Sequence, residues 1–181
     1  MTVSSEQLAV IFQLSTFNFQ LSILNMLTAL FPGSFDPITL GHVEIIERGL
    51  AIFDNIVVAL GTNSQKKYRF TQAQRLQMLK DTFAQEPRIR VETYEGLTVE
   101  FARQNSISFI LRGLRSPSDL EYEQPIAYIN QHLNPDVEIV CLLSKPKTAH
   151  ISSTIVREVI RYKGKLEGLV PQAVIDLLED E

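Results

Sequence analysis

The sequence predicts an α/β fold in which a five-stranded parallel sheet is covered by helices on both faces. Five short runs with strand character alternate along the chain with segments whose apolar residues recur at helical spacing. The 181 residues suit a single domain with a substantial core. The sequence contains no internal repeat or low-complexity linker that would divide that domain.

Residues 1–25 precede the first recognisable strand, and a second methionine, Met26, stands directly before that strand. No Lys or Arg occurs before Arg48, so the segment lacks the positive region of a secretory signal. Its apolar runs are also shorter than the roughly 20 residues of a membrane span. We expect residues 1–25 to be a disordered extension or a start-site artefact rather than a functional segment, and residues 26–181 to form the domain.

The composition argues against several classes of function. A formal net charge of -4 gives no general attraction to nucleic acid or to an anionic membrane, so we expect neither as a partner. The single cysteine, Cys141, excludes an intrachain disulfide and a cysteine-based zinc site. It lies within the apolar run 139–143, and we expect it to be a buried small hydrophobe.

The first predicted strand, residues 27–30, leads into a turn at residues 31–42 that contains two glycines and two prolines. A helix is predicted after the turn, from the spacing of Val43, Ile46 and Leu50. Such a turn lets the backbone approach a ligand where a helix begins, and its N–H groups suit a phosphate. The alternative is a tight connection in which His42 is only a capping or packed histidine.

The second predicted strand, residues 55–61, is followed by a polar loop that contains Lys66 and Lys67. Two lysines in a loop are usually solvated. In an open parallel sheet, however, the carboxyl ends of the strands face the ligand crevice, and this loop leaves such an end. Both interpretations therefore stay open for Lys66.

The middle of the chain contributes elements with an evident structural role. Thr71 and Gln74 form the capping-box pattern of a helix. A third strand is predicted over 88–93 from its alternation, and a short helix over 97–105.

The fourth predicted strand, residues 107–111, runs directly into Arg112-Gly113-Leu114-Arg115. Guanidinium groups form forked, charge-assisted bonds to phosphate oxygens, so two arginines at the end of a strand suit phosphate recognition. An exposed turn with incidental charge explains the same pattern equally well.

A longer helix is predicted to begin at Ser118, with Glu121 completing its cap. Pro125 is expected to bend it. Its apolar stripe indicates either core or a subunit contact, and consists of Tyr122, Ile126, Ile129 and Leu133.

The fifth predicted strand, residues 137–143, leads to a polar stretch that ends in Ser152, Ser153 and Thr154. Hydroxyl groups at the start of a helix can join the free N–H groups of its first turn in binding an anion. One serine can also serve simply as the N-cap, and both roles can hold at once. Pro171 is predicted to introduce a last helix.

Four stretches together resemble one family. Thr39-x-Gly41-His42 is similar to the His-x-Gly-His signature of the nucleotidylyltransferase superfamily, and the longer segment 32–42 resembles phosphopantetheine adenylyltransferases. The Lys66 loop and the stretch 151–157, which ends at Arg157, agree with that family. Arg112-Gly113-Leu114-Arg115, followed by Glu121-Tyr122-Glu123, separates it from relatives that act on nicotinamide mononucleotide or glycerol phosphate.

The resemblance implies a Rossmann-like, doubly wound fold and the penultimate step of coenzyme A biosynthesis. In that step ATP and 4'-phosphopantetheine, with Mg²⁺, give dephospho-coenzyme A and pyrophosphate. The acceptor phosphate attacks the α-phosphorus of ATP and is already ionised near pH 7, so the site needs to supply alignment and charge stabilisation rather than a base. The resemblance also implies a cytoplasmic homohexamer.

Residue roles follow from matching positions. His42 is implied to stabilise the transition state. The phosphopantetheine side is implied to comprise Ser34, Lys66, Thr98 and Arg112, with no metal ligand among the site residues. The ATP side is implied to comprise Ser34, Phe35, His42, Gly113, Leu114, Arg115, Glu123, Thr148, Ala149, His150, Ile151, Ser152, Ser153 and Thr154.

The sequence departs from common family forms at Ser34, at Thr98 and at Thr148, where an aromatic residue is frequent. These departures concern substrate packing and remove no charged group. Two alternatives stay open: a transferase for another phosphorylated acceptor, and a regulatory nucleotide-binding module that has lost catalysis.

Overall fold

The computed structural model describes residues 26–62 and 67–179. The predictions for residues 1–25 and for Lys66 lie outside these residues. Within them, the strands are Thr28–Gly33 (β1), Asn55–Thr62 (β2), Ile89–Glu95 (β3), Phe109–Leu114 (β4) and Glu138–Leu143 (β5). The helices are Leu40–Gly49 (α1), Gln72–Thr82 (α2), Thr98–Gln104 (α3), Pro117–Leu133 (α4), Ser153–Arg161 (α5) and Gln172–Glu179 (α6).

The strands form one parallel sheet in the order β3-β2-β1-β4-β5, which confirms the predicted doubly wound α/β class. The chain builds outward from β1 to β3, then crosses back to place β4 on the other side of β1. Open α/β sheets bind ligands at this switch point, outside the carboxyl ends of the strands.

The register of the two central strands opens a gap there. β1 pairs with β2 along its whole length, from Thr28 to Gly33. With β4 it pairs only at Ala29 with Phe109 and at Leu30 with Ile110. The carboxyl ends of β1 and β4 therefore extend beyond their shared ladder and border a crevice.

Both faces of the sheet are buried. Along β1, Leu30 contributes to one apolar cluster and its neighbours Ala29 and Phe31 contribute to the other. Successive strand residues point to opposite faces, so burial of neighbours requires cover on both sides. Along the described chain, no helix combines the length and apolar character needed to cross a membrane.

The predicted capping box of α2 is confirmed, with Thr71 at the N-cap and Gln74 closing the box. The predicted start of α4 is wrong. Its N-cap is Ser116, whose side chain accepts a hydrogen bond from the Asp119 N–H. Pro117 takes the first helical position, where its missing N–H costs nothing, so the helix begins before Ser118. Pro125 lies inside α4, and the bend expected there stays a prediction.

Exposure excludes one of the two alternatives for the stripe on α4, and it shows that the predicted burial of Cys141 is wrong. The stripe on α4 is not core, because Tyr122 and Ile129 are 68% and 60% exposed, and Ile126 and Leu133 are exposed as well. Cys141 is exposed rather than buried. Both features belong to one side of the molecule, since β5 is an edge strand of the sheet and α4 precedes it.

Candidate active site

A cavity of about 500 Å³ occupies the crevice at the switch point. We call it the first cavity. Its walls come from the β1–α1 turn, the end of β4, the start of α4 and the start of α5. The sheet thus brings together three of the segments that the sequence predicts to bind phosphate: the β1–α1 turn, the end of β4 and the start of α5.

His42 is held in the wall of this cavity by the cap of α1. Thr39 is the N-cap, and its N–H donates to His42 Nδ1 over 3.1 Å. In return, the His42 N–H donates to Thr39 Oγ1 over 3.4 Å. Because Nδ1 accepts from a backbone N–H, the neutral ring carries its proton on Nε2. The capping function of His42 thus sets the tautomer that makes Nε2 a donor, and its predicted role in stabilising the transition state stays a prediction.

The surroundings keep this ring uncharged at neutral pH. Loss of hydration in the pocket wall, followed by the positive charges of Arg115 and Arg112, lowers the His42 pKa to about 4. A histidine with that pKa acts near pH 7 as a neutral hydrogen-bond donor. It can stabilise developing negative charge, but near pH 7 it is not the imidazolium that general acid catalysis by histidine would need.

The start of α5 supplies hydroxyl groups to the same cavity. Ser152 is the N-cap of α5 and accepts from the Ile155 N–H over 3.2 Å, which confirms a serine as N-cap. Ser153 Oγ donates to the Pro37 carbonyl over 2.8 Å and so joins α5 to the β1–α1 turn. A Cβ on Gly41 would lie 3.3 Å from the Ile151 carbonyl oxygen, so the two helix starts approach closely at this glycine.

Arg112 stands at the gap between the central strands. Its Nη1 donates to the Pro32 carbonyl over 2.8 Å, and its Nε and Nη2 both donate to the Glu123 carboxylate. These three bonds leave two of its five N–H groups available. Arg112 lines both the first cavity and a second one, so the remaining donors can reach a ligand at the boundary.

Arg115 is paired in a similar way with the same helix. Its Nε and Nη2 each lie 3.0 Å from a carboxylate oxygen of Asp119. Burial alone would raise the Asp119 pKa, but the hydrogen bonds and charge of Arg115 outweigh it and lower that pKa. The carboxylate thus stays ionised and fixes the guanidinium beside the cavity.

The second cavity measures about 700 Å³ and lies on the β2 and β3 side of the crevice. Thr98 lines it, and the Thr98 hydroxyl lies 2.8 Å from the Tyr94 hydroxyl. The two cavities share Pro32, Gly33, Ser34, Arg112, Tyr122 and Glu123. Ser34 and Arg112 therefore stand where a ligand in one cavity would meet a ligand in the other.

Most of the predicted residues converge on these cavities. The first cavity is lined by Ser34, Phe35, His42, Gly113, Arg115, Glu123, Ile151, Ser152, Ser153 and Thr154. Leu114 is buried. Thr148 uses its hydroxyl to donate to Glu44 Oε2 over 3.1 Å, within the loop that also carries Ala149 and His150. The roles predicted for all of these residues, whether or not they line a cavity, stay predictions.

Three structural contributors were not recognised in the sequence. Asp36 is buried, and its carboxylate accepts from the backbone N–H groups of Arg69 and Phe70, both over 3.0 Å. It thereby ties the end of the Lys66–Lys67 loop to the β1–α1 turn. The motif contains Asp36, but only the fold shows which backbone it binds.

Arg75 on α2 is 3% exposed and donates from Nη1 to the Ser34 carbonyl over 2.7 Å. Its guanidinium lies 3.9 Å from the centre of the Tyr68 ring. The sequence offered one sign that Arg75 lies on the buried face of α2: it stands three and four residues before Met78 and Leu79, which are buried.

Glu44 on α1 joins the histidine helix to the loop after β5. It accepts from Arg48 over 2.7 Å, from the Lys145 N–H over 3.3 Å and from Thr148. These hydrogen bonds, together with the Arg48 charge, lower the Glu44 pKa although burial opposes them. Glu44 therefore positions the loop that leads into α5.

The donor set does not form a resident metal site. Over residues 26–62 and 67–179, no group of three or more His, Cys, Asp or Glu side chains is arranged to hold a metal ion. The two carboxylates that line the first cavity, Asp119 and Glu123, are occupied by arginines.

Comparison with known proteins agrees with this geometry. Residues 30–159 match the cytidylyltransferase-like family. The chain is 52% identical over 149 residues to the phosphopantetheine adenylyltransferase of Flavobacterium johnsoniae, covering 82% of this chain and 97% of that one. It is 50% identical to the protein of the same name from Christiangramia forsetii, covering 82% and 98%. The corresponding protein of Clostridium beijerinckii is 43% identical, with 83% and 94% covered.

The depressed His42 pKa predicts a pH-dependent stability. Below about pH 6.5 the unfolded chain binds a proton at His42, whereas the native state does so only near pH 4. Acid therefore favours unfolding across this interval, by about 1.4 kcal/mol for each unit of pKa difference. In His42→Gln, whose amide can keep the capping role, the free energy of unfolding should fall less between pH 7 and pH 4. Denaturant titrations at several pH values would measure this, and identical pH dependence in the two proteins would contradict it.

Proposed function

The chain belongs to the phosphopantetheine adenylyltransferase family, and we propose that its two cavities bring together the substrates of that reaction. The enzyme transfers the adenylyl group of ATP to 4'-phosphopantetheine and releases pyrophosphate, giving dephospho-coenzyme A. The observation that carries the proposal is the shared boundary at Ser34 and Arg112. A two-substrate transfer needs two sites that meet at the reacting atoms.

The reaction requires positioning more than proton transfer. A phosphate oxygen of phosphopantetheine forms a bond to the α-phosphorus of ATP, while the bond from that phosphorus to the bridging oxygen breaks. The electron pair leaves with pyrophosphate. Since the nucleophile is already ionised, no base is needed, and the neutral Nε2–H of His42 donates to the α-phosphate as charge develops.

Two cations serve the acceptor side. Lys66 and Arg112 hold the phosphate of phosphopantetheine, and Thr98 lies along the second cavity, where the pantetheine arm would run. The pairing of Arg112 with Glu123 leaves donors for this purpose and keeps the guanidinium oriented.

The nucleotide occupies the first cavity. Arg115, Ser153 and Thr154 line it on the side of α4 and α5, where they suit the phosphates of ATP. Mg²⁺ accompanies ATP as its counter-ion, held by phosphate oxygens and water. It reduces the negative charge of the triphosphate. The arginines and the helix starts then orient the partly neutralised triphosphate.

The protein assembles into a homohexamer through α4 and the edge strand β5. A monomer rarely leaves a large apolar surface or an edge strand bare. Here α4 exposes Leu120, Tyr122, Ile126, Tyr128, Ile129 and Leu133, and Leu143 of β5 is 72% exposed.

We place the enzyme in the cytoplasm, because ATP and its acceptor are available there. Fractionation of cells would test this location.

The first experiment identifies the acceptor. Pyrophosphate release is measured with ATP and Mg²⁺ while 4'-phosphopantetheine, nicotinamide mononucleotide or glycerol 3-phosphate is added in separate reactions. We expect release only with phosphopantetheine, and loss of release when EDTA removes Mg²⁺. Release with another acceptor would reassign the second cavity. ATP binding without any release would indicate a regulatory module.

The role of His42 predicts a selective loss of turnover. His42→Ala should lower kcat by roughly 10²-fold or more, because the donor acts mainly in the transition state, and should leave the Kd for ATP largely unchanged. His42→Gln is the control for the helix cap: it should keep the wild-type melting temperature more closely than His42→Ala. An unchanged kcat in His42→Ala would remove the residue from catalysis.

The assembly surface predicts a mass of six chains by light scattering after size exclusion. Replacing Tyr128 and Ile129 by glutamate should produce smaller species, because charges would be buried without partners. Arg103→Glu changes an exposed side chain on α3, outside this surface; it is the control and should keep the wild-type mass. A wild-type protein that elutes as a monomer would contradict the proposal.

A further inference from the structure

A third cavity, of about 430 Å³, adjoins the first one on the outer side of α5. It is lined by Arg69, Thr154, Arg157, Glu158 and Arg161, and we call it the arginine cavity. Thr154 and Arg157 also line the first cavity, so these two residues form a common wall. Arg69 and Arg161 line the arginine cavity and neither the first nor the second cavity.

The charges around this cavity are predominantly positive. Glu158 is the one carboxylate among its lining residues, and it pairs with Arg161 over 3.1 Å in an exposed ion pair. The Asp36 carboxylate lies behind, 3.7 Å from Arg157 Nη1. That carboxylate is almost fully buried and already accepts the Arg69 and Phe70 N–H groups. Three guanidinium groups and one exposed carboxylate thus line the arginine cavity.

The arginines also retain unused donors. Arg157 donates from Nη1 to the Asp36 carbonyl over 2.7 Å and from Nη2 to Thr154 Oγ1 over 3.1 Å. Of its five N–H groups, three remain. Arg69 packs its guanidinium 5.4 Å from the centre of the Phe70 ring, and that guanidinium has no polar partner among residues 26–62 and 67–179. Converging guanidinium groups with free N–H groups fit a phosphate-bearing anion.

We propose that the arginine cavity is a diphosphate site that receives the pyrophosphate released in the first cavity. This inference rests on the proposed adenylyl transfer. Breaking the bond between the α-phosphorus and the bridging oxygen frees a diphosphate beside Thr154 and Arg157, the wall shared with the arginine cavity. Arg69 and Arg161 then offer contacts that a nucleotide confined to the first cavity does not make, so the product gains a path away from the reacting centre.

The test compares two arginines in matched settings. Arg161 and Arg103 each form an exposed ion pair with a glutamate three residues earlier, and their side chains are 68% and 67% exposed. Only Arg161 lines the cavity. Arg161→Gln and Arg103→Gln therefore remove the same charge and the same kind of pair, and the double variant Arg69→Gln/Arg161→Gln removes both outer cationic groups.

Sodium pyrophosphate is titrated calorimetrically into each protein without other substrates, and the KM for ATP is measured in the forward reaction. We expect the pyrophosphate Kd to rise about fivefold in Arg161→Gln and tenfold or more in the double variant. It should change less than about twofold in Arg103→Gln, and the KM for ATP should remain near wild type throughout.

The other outcomes separate the two proposals. An unchanged pyrophosphate Kd in the double variant would overturn the diphosphate site even if the enzyme is active. A KM for ATP that rises in parallel with the pyrophosphate Kd would overturn the product role, because the arginines would then hold the terminal phosphates of the substrate. If the proposed adenylyl transfer is itself wrong, the result is different: the wild-type protein releases no pyrophosphate.

Discussion

The short ladder between β1 and β4 is the constraint from which the site follows. Once pairing ends at Leu30 and Ile110, the two strands continue without each other, and a crevice forms between their carboxyl ends. Arg112 spans this gap by donating to the Pro32 carbonyl. A charged side chain thus takes the place of further strand pairing, and the same side chain faces both cavities.

Helix α4 prepares the cations of this crevice. Its Asp119 orients Arg115 and its Glu123 orients Arg112, so each guanidinium is already fixed without a ligand. The pairing uses part of each donor set and leaves the rest directed to the cavities. Beside them, burial of the ring and then the same positive charges lower the pKa of His42 and keep it neutral. Fixed dipoles and donors of this kind stabilise a transition state without reorganising during the reaction.

Local patterns predicted the elements and most of the residues that line the two cavities. The glycine- and proline-rich turn, the capping boxes and the residue classes at strand ends each depend on neighbours within a few positions. Ser118 was misjudged as the cap because Ser116 offers the same hydroxyl two residues earlier, and Pro117 between them decides the choice. The structural roles of Asp36 and Arg75 were not predicted, because their hydrogen-bond partners, Phe70 and Ser34, lie 34 and 41 residues away in sequence.

The sequence by itself determined the alternating order of strands and helices, the location of the segments predicted to bind phosphate and the family to which they are similar, because these depend on periodicity and local motifs. Only the tertiary structure decided which apolar surfaces are buried. The stripe on α4 and Cys141 have the composition of core residues, yet they lie at the edge of the sheet, where no described element covers them. Burial depends on what packs against a surface, and hydrophobic pattern alone does not specify the neighbour.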